Sequence, residues 1–172
     1  MSGIKALLGI GVSVGVLAGI WTYASVELTL ITWIAFVAWA CFFAAGGGTT
    51  GLAKGLAANL AGVFWGWVIS QGLETVSAST LALAIMVTIV GFILCIEAAL
   101  PLLSFIPGGF AGTAVFFGSG FDLSGALIAI VAGAVLGIIS EKLGSMIQSA
   151  VDGAPQPAPT PTPTPTQDAR TA

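Results

Sequence analysis

The sequence predicts an all-α fold: a polytopic transmembrane helical bundle of about six spans, built as two inverted three-helix repeats. Three observations carry that prediction. Charged residues are 6 % of the 172, histidine is absent, and hydrophobic residues reach 57 %. Apolar stretches recur at the length of a membrane span, which needs ~20 such residues. The two halves of the apolar region also share one pattern of Phe, Gly and Ala. A surface facing water needs more charge than this, and a surface facing lipid does not.

The first stretch covers residues 4–25. Lys5, an apolar run and Thr22-Tyr23-Ala24 imitate a signal peptide. The run is longer than an h-region of ~7–15 residues, so it reads as a retained first span. The second stretch is 28–45. Glycines at 46, 47, 48 and 51 then break the chain, and Thr49 or Thr50 offers an N-cap for a third stretch, 52–69. Residues 71–79 read as a polar loop. The fourth stretch is 80–96. The fifth, 100–117, is irregular and holds Pro101, Pro107, Gly108, Gly109 and Gly112. The sixth is 123–147. The transmembrane domain is thus placed at 1–150. From 151 to 172 the chain reads as a disordered Pro/Thr-rich cytoplasmic tail, because repeated Thr-Pro removes backbone donors and favours polyproline II. A solvated tail is the simple reading, and a docking strand for a polyproline-binding partner is the other.

Positive charges set orientation. With six spans, Lys5, Lys54, Lys142 and Arg170 all fall on one side, so both termini are expected in the cytoplasm. The formal net charge is −3. There is no basic stripe for nucleic acid and no polybasic segment for anionic lipid.

The repeat is legible residue by residue. Phe36, Ala38, Ala40, Phe42, Phe43, Ala44 and Gly46 match Phe110, Gly112, Ala114, Phe116, Phe117, Gly118 and Gly120 at identical spacing. Downstream, Ala61-Gly62 matches Ala132-Gly133. Three spans per copy means that the second copy enters from the opposite side, the arrangement of many transporters. Chance alignment of common residues is the competing account.

Candidate site residues follow from that reading. Pro107, Gly108 and Gly109 mark a helix break, since Pro107 removes one helical donor and the glycines permit a turn. Non-helical backbone at membrane depth lines protein or a cavity, not lipid. Ser104 and Thr113 supply hydroxyls beside it. Phe36 and its mate Phe110 are expected near the pseudo-symmetry axis, as an apolar constriction or as core packing. A Pro kink packed on neighbouring helices fits the same residues. Lys54 and Glu97 are candidate pathway-mouth charges close to the cytoplasmic interface, where side chains can snorkel. Trp21, Trp33, Trp65 and Trp67 read as interfacial anchors, and Trp39 as core.

Enzymatic chemistry is not expected, and no catalytic residue is assigned. There is no Ser–His or Cys–His pair, no phosphate loop and no pair of buried carboxylates. No metal or other cofactor is expected: Cys41 and Cys95 both lie in apolar runs, where thiols pack as small apolar groups. Glycines four apart, such as Gly11, Gly15 and Gly19, or Gly62 and Gly66, let helices approach closely within the bundle or between copies in a homo-oligomer.

The runs Gly-Leu-Ala-Lys-Gly-Leu-Ala at 51–57, Cys-Ile-Glu-Ala at 95–98 and Leu-Ser-Phe-Ile-Pro-Gly-Gly-Phe at 103–110 with Gly112 resemble the YcdZ-like family of small bacterial inner-membrane proteins of unknown function. The resemblance spans about residues 4–145. It implies a multi-span protein of the bacterial inner membrane and transfers no substrate or functional residue. Together these readings favour a channel or facilitator for a small neutral solute, with the lipid bilayer as the first partner. The alternative is a non-transporting membrane scaffold or accessory subunit.

Overall fold

Residues 2–76 and 79–153 are described by the computed structural model, and among them every regular element is helical. A short turn of helix, α1 (Ser2–Lys5), precedes α2 (Leu8–Glu27). There follow α3 (Thr32–Ala44), α4 (Gly48–Thr75), α5 (Thr80–Ile96), α6 (Ile106–Gly118) and α7 (Leu123–Asp152). Two 3-10 turns, Glu97–Ala99 and Pro101–Leu103, separate α5 from α6. Four stretches are long and apolar enough to cross a membrane: α2, α4, Thr80–Ala99 and α7. α3 and α6 have 13 residues each. At 1.5 Å per residue they reach ~20 Å, short of a ~30 Å hydrocarbon core.

Local chemistry explains most boundaries. Ser79 caps α5 by accepting from the Ala82 N–H at 3.2 Å, and Asp122 caps α7 by accepting from Gly125 at 2.9 Å. The start of α4 differs from the sequence expectation. Thr49 and Thr50 lie inside the helix and do not cap it; Gly47 holds the cap position with no side-chain bond. Instead the Gly48 N–H donates to both carboxylate oxygens of Glu141, at 3.1 and 2.9 Å. A carboxylate from a distant helix neutralises the positive end of α4, which frees Gly48-Thr49-Thr50-Gly51 to join it. α4 also continues through Gln71 to Thr75, where a loop was expected. α7 ends at Asp152, beside the shift in composition. The expected Pro/Thr tail at 154–172 lies outside the described residues.

α4 and α7 form the spine and run antiparallel. The first residue of α4 meets Glu141, while Leu60, Val63 and Trp67 share a groove with Leu123 and Leu127. α6 lies along α4, and α2 and α3 lie along α7. The main core joins Ile34 and Ala38, Val63, Val115 and Phe116, and Ala126, Ala129 and Ile130. A second cluster, Ile69, Val90 and Leu94, holds α5 to α4. Large apolar side chains such as Val16, Ile20, Leu81, Phe92 and Ile128 point outward. Outward apolar faces fit a lipid surround, where helices adhere by close packing of small residues and not by hiding hydrophobic area.

Candidate functional site

The helix expected to break at Pro107 does not break there. α6 is continuous from Ile106, and Pro107 sits in its first turn. The first four N–H groups of any helix have no internal partner, so proline costs nothing at that point. Gly108 and Gly109 are helical and buried. The irregular backbone lies upstream, in the two 3-10 turns and in residues 104 and 105. Ser104 is exposed, and its hydroxyl donates back to the Pro101 carbonyl at 2.9 Å.

The glycines of α6 serve close approach to α4. A Cβ on Gly62 would strike the Gly109 carbonyl, a Cβ on Gly112 would strike the Asn59 carbonyl, and one on Gly108 would meet the Ala58 side chain. Thr113 bridges the crossing, since its hydroxyl lies 2.9 Å from the Gly62 carbonyl and 3.2 Å from that of Gly109. It is a fully used interhelical bond.

The same contacts recur between α3 and α7. A Cβ on Gly133 would strike the Ala35 carbonyl. The ring of Phe116 fills the space beside Gly66, and the ring of Phe42 fills that beside Gly137. The turns that follow α3 and α6 are alike bond for bond. Ala45 donates to Cys41, Gly46 to Phe43 and Gly47 to Phe42; Ser119 donates to Val115, Gly120 to Phe117 and Phe121 to Phe116. Gly46 and Gly47 have φ of 109° and 66°, Gly120 and Phe121 of 71° and 69°.

Phe36 and Phe110 are not at the centre. Phe110 is 48 % exposed and covers Gly91 on α5. Phe36 stacks on Trp39 (centroids 6.2 Å apart) in a groove of about 370 Å³ between α2 and α3. The cause is helical phase. The inward face of α6 carries Gly108, Gly109, Gly112, Val115 and Phe116, and that of α3 carries Ile34, Ala35, Ala38 and Phe42. The central aromatic pair is therefore Phe42 and Phe116, both fully buried.

Lys54 is partly exposed about two turns into α4, deeper than expected because the helix starts at Gly48. Glu97 directly follows the last residue of α5 and opens the first 3-10 turn. Its Oε2 accepts from the Trp65 indole N–H at 3.0 Å, and Trp65 belongs to the middle third of α4. Trp21 donates to the carbonyl of Thr32, the first residue of α3, at 3.0 Å.

Two polar features were missed by sequence reasoning. The first is a chain of buried bonds that ties three helices: Trp39 Nε1 donates to Ser140 Oγ at 2.9 Å, and Ser13 Oγ donates to the Ser140 carbonyl at 2.8 Å. The second is Asn59, 2 % exposed, whose Oδ1 is buried without a partner. Its amide lies beside Cys41 of α3. The available signal was that Asn59 is the sole asparagine of the chain and falls within an apolar run. Both cysteines are free thiols; Cys41 is buried and Cys95 exposed.

A family model described as a protein of unknown function, DUF1097, matches residues 11–145. The chain is 36 % identical over 157 residues to the uncharacterized protein YahC of Escherichia coli (strain K12), covering 85 % of this chain and 95 % of that one. It is 34 % identical over 139 residues to the inner membrane protein YcdZ of the same strain, covering 80 % and 85 %. Against the inner membrane protein YcdZ of Salmonella typhimurium (strain LT2) it is 32 % identical over 144 residues, covering 83 % and 90 %. No solved structure matches the chain.

Proposed function

Because this chain belongs to the DUF1097 family and is, like its two YcdZ relatives, an inner-membrane protein, we propose that it is a small facilitator for a neutral solute, built on an inverted repeat. All six helices α2–α7 cross in this reading, with both termini cytoplasmic, and it is not an enzyme. The observation that carries the proposal is the duplicate set of crossings. Gly62 on Gly109 is repeated by Gly133 on Ala35, and Phe116 on Gly66 by Phe42 on Gly137. Those pairs are also the pairs that align in sequence. An odd number of spans in each copy relates them by an axis in the membrane plane, and such axes place solute sites near the midplane.

Asn59 supports the choice of a neutral solute. It lies close to the middle of α4, at the Gly112 crossing, and its carbonyl oxygen has an unmet acceptor position. A solute bearing a hydrogen-bond donor would satisfy it. The centre is otherwise closed by Ile34, Phe116 and Ile130, which favours a carrier that moves between packings over an open pore. The scaffold reading is favoured by one feature: Gly11, Gly15 and Gly19 on α2 have nothing within 4 Å of a built Cβ. Reconstituted protein should equilibrate small neutral donors such as amides or polyols faster than protein-free vesicles. Flux equal to that of empty vesicles across the panel, with the protein folded, would leave the scaffold.

A further inference from the structure

We propose that the cleft between the end of α4 and the start of α7 binds an amphiphilic ammonium ion, its cationic head against Glu74, Trp67 and Phe121 and its alkyl tail along α4 toward Leu60. The site goes beyond the facilitator reading and does not depend on it.

The cleft has two joined parts. At the end of the bundle, Trp67, Gln71, Glu74, Phe116, Phe121 and Leu123 help to line a cavity of about 390 Å³. That size suits a small organic molecule. Trp67 and Leu123 also line a narrower apolar groove of about 180 Å³, which passes Phe64 and Val63 to reach Leu60 and Leu127. From Trp67 back to Leu60 the helix rises ~10 Å, room for a short alkyl chain. Phe64 and Trp67 are exposed, so the groove opens on the lipid-facing side.

Charge selects a cation for the head. Glu74 is the charged residue of the cavity. Glu27 and Asp122 lie at the same end of the bundle. Lys5, Lys54 and Lys142, the basic residues among those described, gather at the other end. Helices α4 and α6 also finish beside the cavity, and the negative end of a helix dipole favours a cation. The positive start of α7 is already met by its own cap, Asp122. A phospholipid head would set its phosphate near Glu74 with no described basic residue to receive it. The fitting ligand is therefore an ammonium amphiphile without phosphate.

Aromatic rings suit that ion, because their faces attract alkylated ammonium groups. Phe121 adopts φ of 69°, a left-handed conformation that bulky residues rarely take. Its counterpart in the turn after α3 is Gly47, with φ of 66°. The second turn thus carries a phenyl ring where the first carries none. That ring makes T-shaped contacts with Phe116 and Phe117, at 5.7 and 5.4 Å between centroids, yet Phe121 stays half-exposed.

The test is equilibrium dialysis of the full-length protein in dodecyl maltoside against radiolabelled octyltrimethylammonium, with protein-free micelles as the blank. Saturable uptake approaching one ion per chain is expected. Unlabelled octanol and octanesulfonate should not displace it. Tetramethylammonium, a head without a tail, should compete about tenfold or more weakly, since it leaves the groove unfilled. Glu74→Gln should weaken binding by roughly tenfold, the cost of removing one partner of a charge pair. Glu27→Gln, at the same end but outside the cleft, should leave it unchanged. Both glutamates are exposed, so neither change burdens the fold. Uptake no greater than the blank would overturn the proposal, as would displacement by octanol. Binding undiminished in Glu74→Gln, or reduced equally by Glu27→Gln, would assign the effect to general surface charge and overturn it. Displacement by stoichiometric phosphatidylethanolamine would give the cleft to a lipid head and overturn it as well.

Discussion

Single atoms decide the close crossings. Gly62 and Gly133 each face a backbone carbonyl of a neighbouring helix, Gly109 and Ala35 respectively, so an added methyl has no flexible neighbour to displace. Gly62→Ala or Gly133→Ala should lower stability by ~1–3 kcal/mol, the range for overpacking a tight contact. Gly15→Ala meets nothing within 4 Å. It should raise helix stability by ~0.4–1 kcal/mol through the unfolded chain. Thermal unfolding in detergent compares the three, and equal effects would contradict the described crossings. Asn59 supplies the opposite case. Burying an unpartnered carbonyl costs ~1–3 kcal/mol. Asn59→Leu should therefore leave the melting temperature unchanged or higher while reducing solute flux. A drop in melting temperature with flux intact would assign Asn59 to structure alone.

At the scale of elements, the capping carboxylate of α4 is the most exposed to test. Glu141→Ala removes the acceptor for Gly48, which should cost ~1 kcal/mol, typical of losing a helix cap. Hydrogen exchange should show the first turn of α4 fraying before the rest. Pro107→Ala should leave α6 intact, because its first turn lacks internal acceptors with or without proline. The sequence stated where most helices lie: the span-length apolar runs, and the glycines from Gly46 that close the second run, correspond to described elements. It misplaced the irregular segment, because Pro107 with two glycines reads as a break in a one-dimensional window. Whether proline interrupts a helix or opens one depends on where the first turn falls. The site was less legible still. Phe36 and Phe110 match in spacing, yet spacing does not tell which face of a helix is inward until the glycine crossings fix its phase. The Glu141 cap, the Ser140 network and the Glu97–Trp65 bond join residues far apart in the chain, beyond any local pattern.

On the scale of the whole molecule, the two halves interlock. The α2–α3 hairpin packs on α7 and the α5–α6 region packs on α4, so each spine helix is clothed mainly by the opposite half. Glu141 touching Gly48 and Gln148 accepting from Gly9 at 3.0 Å bring the N-terminal end of α2, the turn after α3 and the C-terminal part of α7 to one end of the bundle. Under the proposed six crossings with cytoplasmic termini, that end would face the cytoplasm. Reporter fusions after Asp152 should fluoresce as green fluorescent protein and be inactive as alkaline phosphatase; active phosphatase there would reverse the orientation. Halves expressed separately, cut between Thr75 and Thr80, should each be degraded, whereas co-expression should restore a stable complex. Survival of either half alone would contradict the interlock.

That interlock imposes an order on biosynthesis. Ser13 and Gly9 meet partners in Ser140 and Gln148, residues the ribosome adds among the last of the helical region. The first hairpin must therefore wait in the bilayer, its glycine-compatible face uncovered, until nearly the whole chain has been translated. During that interval it is a substrate for membrane quality control and for premature pairing with other nascent helices. A stop codon within α7 should consequently be as damaging as one far upstream, and slowing translation late in the message should lower yield more than slowing it early.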